Sequence, residues 1–269
     1  MTWLVRIFAC VATGLLPASV VFASDSDHFW SGNWSLSLGG AVANGPAFEG
    51  AKNRKFLFSP IISVGRQGQI QRFSSRNDSA SFALYDSAIF RAGIAGKLIT
   101  GRDNDTSEEL EGLSEIKSGG EAGVFVDVYP TDGLRARAEI RHGIRSHHGT
   151  VADLSVDAYT DVAPTVRISA GPRATYATAG FGQAYYGVDT KESFASGLTR
   201  FNSSSGWQSI GIGGAVNWKA TDKIDTSLFA EYKRIVGIAA DSSLVRQKGS
   251  DHQLLVGVSA TYRFDFTLD

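Results

Sequence analysis

Cysteine is nearly missing from this sequence. Cys10 is the only one in 269 residues, and it lies in a leader expected to be removed. A mature chain without cysteine has no disulfide framework and no thiolate metal site. Long apolar runs are also missing: beyond residue 21 no stretch could form a membrane-spanning helix. Neither sign of charge is in excess, with 26 Lys+Arg against 27 Asp+Glu, which argues against a nucleic-acid partner. The five histidines are scattered, and only His147 and His148 are adjacent. No further ligands stand at a metal-binding spacing, so neither metal nor cofactor is expected. Asp103, Asp105, Glu108, Glu109 and Glu111 crowd one loop without the spacing of a calcium-binding loop, and read as a solvated surface. Serine is abundant, but nothing marks a Ser/His/acid set. A catalytic role is not expected.

The first residues read as an address. Arg6 supplies a basic start, Ile7 to Val21 are apolar, and Val21-Phe22-Ala23 places small residues before Ser24. This pattern predicts a secretory signal peptide over residues 1–23, cut between Ala23 and Ser24. Its removal takes away one basic and no acidic residue, moving the formal charge from −1 to about −2. Residues 24–269 are then expected to form one domain.

That domain has 30 glycines in the full count, an 11% aromatic share and a period-two pattern. Its clearest segment is the last one, His252 to Phe264. Leu254, Val256, Val258, Ala260, Tyr262 and Phe264 share one face, with Gly257, Ser259 and Thr261 on the other. A strand of this length, apolar outside, small and polar inside and aromatic at its end, suits a membrane-spanning strand. Similar segments are expected at 34–42, 56–64, 70–73, 81–85, 88–100, 121–129, 134–142, 151–161, 165–178, 207–218 and 224–234. Pro60 lies within the second and predicts a bulge or a gap in the ladder. The connections alternate short and long, with short turns at Arg66 to Gln69, Asp86-Ser87, Pro130 to Gly133, Asp161 to Pro164 and Lys219 to Lys223. The fold expected is an all-β transmembrane antiparallel barrel of about twelve strands. Its short turns and both termini should lie on the periplasmic side of a bacterial cell outer membrane.

The opposite face of these strands carries charge. Arg135, Arg137, Glu139 and Arg141 share one face of a single strand, and cannot point into lipid. With Arg91, Lys97, Arg167, Arg173, Asp225, Glu231 and Lys233 they form a mixed, mainly basic set expected to face the lumen. Twelve strands enclose a modest interior. The charges could pair across it and plug it, or leave a path for small anions.

Three stretches carry a family resemblance. The first is Gly45-Pro46-Ala47-Phe48-Glu49-Gly50, followed by Pro60 in the next strand. The second is Tyr185-Tyr186-Gly187-Val188. The third is Asp241-Ser242, with Lys248-Gly249-Ser250 and the closing Tyr262 and Phe264. In order and spacing the chain resembles the MipA/OmpV family of outer-membrane proteins across nearly its whole mature length. Phe48 stands where that family often has Tyr and Ser243 where it often has Pro. The chain also runs five residues past Phe264. The resemblance implies a non-enzymatic scaffold in outer-membrane lipid. Its expected partners are a periplasmic lytic transglycosylase and a penicillin-binding murein synthase. The alternative is a small-solute channel that affects permeability or antibiotic susceptibility.

Overall fold

A computed structural model describes residues 31–66 and 72–268. The expected signal peptide, with Ala23 and Ser24, and the expected turn from Gln67 to Gln69 lie outside the described residues. Among the described residues there are eleven strands: β1 (Gly32–Pro46), β2 (Arg54–Arg66), β3 (Ala80–Asp86), β4 (Phe90–Ile99), β5 (Gly119–Thr131), β6 (Leu134–Ile144), β7 (Thr150–Ala163), β8 (Val166–Ala177), β9 (Gly206–Lys219), β10 (Ile224–Ile235) and β11 (His252–Leu268). They form one antiparallel sheet in the order β2-β1-β11-β10-β9-β8-β7-β6-β5-β4-β3. The last strand pairs with the first, as a curling barrel sheet requires. β2 and β3 are the two edges.

The alternation of the sequence reappears as two faces. Val42, Val258, Leu228, Val216 and Ile168 are exposed and stand in register across β1, β11, β10, β9 and β8. They make a continuous aliphatic row on the outside. Aromatics flank the row at both ends. Tyr176 meets Trp207 edge-on, with centroids 5.6 Å apart, at the long-loop end. Tyr262 and Phe264 meet at 4.7 Å near the short turns. An aliphatic belt between two aromatic girdles is the outer surface of a membrane barrel. The inner face holds small or charged residues, such as Ala41, Ala43 and Arg135.

Two expectations need correction. First, the twelfth strand is not found where it was expected. Of Ile70–Phe73 only Arg72 and Phe73 fall among the described residues, and neither is in a strand. β2 and β3 run in the same direction, so the chain must climb back between them. The described part of this connection, from residue 72, lies inside the barrel: Phe73 is buried and stacks on Tyr159 of β7, with ring centroids 4.3 Å apart. This inner return keeps the start of β1 and the end of β11 at the short-turn end with an odd strand number. Second, Pro60 causes no bulge. It pairs in continuous register with Gly40, and β2 is an edge strand, where proline's missing N–H costs least. The residues after Phe264 are part of the ladder. β11 continues to Leu268, opposite Gly32, and Phe266 faces Trp34 across the ladder.

The long segment after β8 is partly helical. It holds α1 (Ala179–Tyr186) and α2 (Thr190–Ser196). Asp189 accepts from Glu192 N–H while Glu192 accepts from Asp189 N–H, a reciprocal cap. Gly197, at φ +74°, ends α2 in the left-handed conformation that suits glycine.

A charged ladder beneath an apolar cap

Two structures occupy part of the barrel. The first is a ladder of ion pairs along the inner face of β6. Arg135 donates to both carboxylate oxygens of Asp78, at 2.5 and 2.6 Å, and to Asp157 at 3.2 Å. Arg137 donates to Asp127 at 3.1 Å and to Glu139 at 2.7 Å. Arg141 donates to Glu121 at 2.8 Å, to Asp153 at 2.7 Å, and to Glu139. Glu139 therefore bridges two arginines. The neighbouring strands set this up by register: Arg137 lies opposite Asp127 of β5, and Arg135 opposite Asp157 of β7. Arg173 of β8 adds a further bond to Asp157. His147 tops the ladder, with Nε2 2.9 Å from Glu121 and Nδ1 accepting from Gly149 N–H at 3.1 Å. That pattern assigns the proton of a neutral ring to Nε2. Arg135, Arg141, Asp127 and Asp157 are at most 2% exposed.

All eleven charges expected in the lumen lie on inward-facing positions, but only five join the ladder: Arg135, Arg137, Glu139, Arg141 and Arg173. Lys97 stands opposite Glu121 at the upper rim. Arg167 pairs with Asp161 at 2.7 Å near the short turns. Asp225 is exposed near the same end. Arg91 sits 3.7 Å from Asp86, and Lys233 lies 3.6 Å from Glu231 and 3.7 Å from Glu49. The sequence reading missed the acids. Glu121, Asp127, Asp153 and Asp157 take the same inward parity as the arginines, so strand alternation could have found them. With them counted, the interior is not mainly basic.

The second structure is a cap over the long-loop end. Phe48, Ala51, Leu110, Val188, Leu198 and Leu244 form one buried cluster there. Val151, Ala177, Phe181, Tyr186, Ile235, Ala239 and Val245 form another. These residues come mainly from the connections after β1, β4, β8 and β10. The three stretches that carried the family resemblance meet in this cap, far apart as they are in sequence. Ser242 Oγ donates to the Tyr186 carbonyl at 2.6 Å. Ser250 N–H donates to the Gly50 carbonyl at 2.9 Å. Lys248 Nζ donates to the Ser196 carbonyl at 3.2 Å. Gly249 allows the close approach: a Cβ there would lie 2.1 Å from the Gly50 carbonyl oxygen. Gly50 itself has φ +98°, where a side chain would be strained. Pro46 closes β1 just before the cap, and Gly187 ends α1. Arg102 donates to the Tyr185 carbonyl at 3.0 Å, and its guanidinium lies 5.4 Å from the rings of both Phe48 and Tyr185. Burial pushes the Tyr185 hydroxyl up to about 12 and that of Tyr186 well above its ordinary value. Both stay neutral across physiological pH.

Two of the quoted family residues, Tyr262 and Phe264, lie instead in the lower aromatic girdle. Pro60 faces outward on β2. The capping sequence Asp189-Thr190-Lys191-Glu192 was the available signal for α2.

Similarity to solved structures is remote. A bacterial polysaccharide outer membrane secretin is 10% identical over 86% of this chain and 98% of its own, with a TM-score of 0.41. OmpT, an outer membrane protein of Vibrio cholerae, is 9% identical over 90% and 100%, with a TM-score of 0.36. Neisserial surface protein A is 9% identical over 87% and 99%, with a TM-score of 0.26. No curated protein matches. Residues 38–264 match the family model of MltA-interacting protein MipA, and the chain belongs to that family of outer-membrane barrel proteins.

Proposed function

We propose that this barrel is a non-enzymatic scaffold that holds murein enzymes at the inner surface of the outer membrane. Its partners in this reading are a lytic transglycosylase and a murein synthase. The family's name, MltA-interacting protein, supports the first of these. The observation that carries the reading is the cap. Interlocked apolar clusters close the long-loop end, and the ion-pair ladder fills the interior beside β6. A barrel closed in this way is poorly suited to transport. Its useful surfaces are then its ends. The short turns at 87–89, 132–133, 164–165 and 220–223 face the periplasm in this orientation, and partners dock there. A lumen cavity of about 1000 Å³ favours the second reading, a small-solute channel.

Co-purification from solubilised membranes tests the proposal. The intact protein should enrich both enzymes. A variant with the short turns rebuilt should lose them, and one with residues 179–205 rebuilt should keep them. Loss only with the 179–205 variant would reverse the orientation. No enrichment by the intact protein would remove the scaffold reading.

A further inference from the structure

The ladder occupies only one side of the lumen. The other side, beneath the β2 and β3 edges, holds the cavity of about 1000 Å³, which extends to Ser35, Gly65 and Asp265 at the short-turn end. This is the size of a small-molecule site. Its walls are rich in serine hydroxyls and carry five arginines: Arg72, Arg76, Arg91, Arg173 and Arg263.

The same walls carry Asp78, Asp86, Glu231 and Asp265, and most of these arginines have an acidic partner: Arg173 pairs with Asp157 and Arg263 Nε lies 3.1 Å from Asp265. Arg72 and Arg91 share the single carboxylate of Asp86, at 2.9 and 3.7 Å. The nearby Asp78 is taken by Arg135. Arg76, from the inner return segment, makes no ion pair among the described residues. Its guanidinium lies 4.5 Å from the Phe229 ring centroid. The Nε atoms of Arg76, Arg91 and Arg173 are buried without a hydrogen-bond partner, whereas that of Arg263 faces Asp265. A guanidinium cannot shed its charge, and a buried donor left unmatched is costly. Three such donors on residues lining one cavity, with Arg76 making no ion pair among the described residues, describe a site able to receive negative charge.

We propose that this cavity binds a small anion, a carboxylate or phosphate carried on a hydroxyl-rich body of sugar type. Arg76 pairs with the charge, Arg91 and Arg173 supply further N–H donors, and the serines receive the hydroxyls. The ligand enters from the short-turn end, because the cap closes the other. The proposal stands apart from the scaffold reading: co-purification can fail while the ligand binds.

Isothermal titration of the detergent-folded full chain provides the test, with glucuronate, glucose 6-phosphate and glucose as probes. At least one anion should bind and neutral glucose should not. Preference for glucuronate assigns a carboxylate, and preference for glucose 6-phosphate a phosphate. Arg76→Gln should weaken binding by about tenfold, the scale of one lost charge-assisted hydrogen bond, and Arg76→Lys should restore part of it. Arg246→Gln, on an exposed side chain of the cap, should change nothing. Heat-modifiable gel migration confirms that each variant is folded. Equal binding of glucose and the anions, no binding of either anion, or full affinity in folded Arg76→Gln would overturn the proposal.

Discussion

Replacing Glu139 by Ala should destabilise the barrel by about 3–5 kcal/mol, the cost of breaking a buried ion pair by removing one partner. Glu139 accepts from Arg137 and Arg141, and all three are buried. Removing its carboxylate leaves two guanidinium groups facing the gap with no water to solvate them. The exposed pair Arg167–Asp161 is the control. Its bond is equally short, at 2.7 Å, yet its side chains are 36% and 58% exposed. Asp161→Ala should therefore cost less than about 1 kcal/mol. Urea unfolding in detergent or lipid, followed by tryptophan fluorescence, compares the two. Equal losses would mean that the ladder is wet.

The second large effect concerns the outer face. Val258→Arg should cost about 2–4 kcal/mol, the penalty for arginine in lipid near the bilayer midplane. Val258 is exposed in the middle of the aliphatic row, between Val42 and Leu228. Ser259 is its neighbour in sequence but lines the cavity, so Ser259→Arg should insert and fold nearly as well as the parent. Folded yield in lipid vesicles, scored by heat-modifiable migration, reads the difference. If both variants insert equally, the facing of β11 is wrong.

Both predictions rest on strand alternation, the feature most legible in the sequence. A period of two assigns each side chain to lipid or lumen with no knowledge of tertiary structure, and the faces of β1, β2, β6, β9, β10 and β11 follow it. The short turns were legible for a similar reason, since Asp132-Gly133 and its counterparts carry local turn chemistry. The return segment was not. Arg72 and Phe73 form a mixed apolar and polar pair that suits a short strand as well as an inner strap. What places Phe73 against Tyr159 is a contact between residues far apart in the chain. The acids of the ladder were legible by parity, but which arginine each one meets depends on cross-strand register. The cap followed the same logic. Its motifs were visible as three separate stretches, while the packing of Phe48 with Val188 and Leu244 required the loops to meet. Pro60 shows the reverse case, where a local rule predicted a defect and an edge position made it harmless.

The central claim is that the long-loop end is sealed. Single-channel recording of the purified, folded protein in a planar bilayer tests it most directly. The sealed barrel predicts insertion without discrete conductance steps. Reproducible open-channel steps from the intact protein would contradict it and would favour the channel reading over the scaffold.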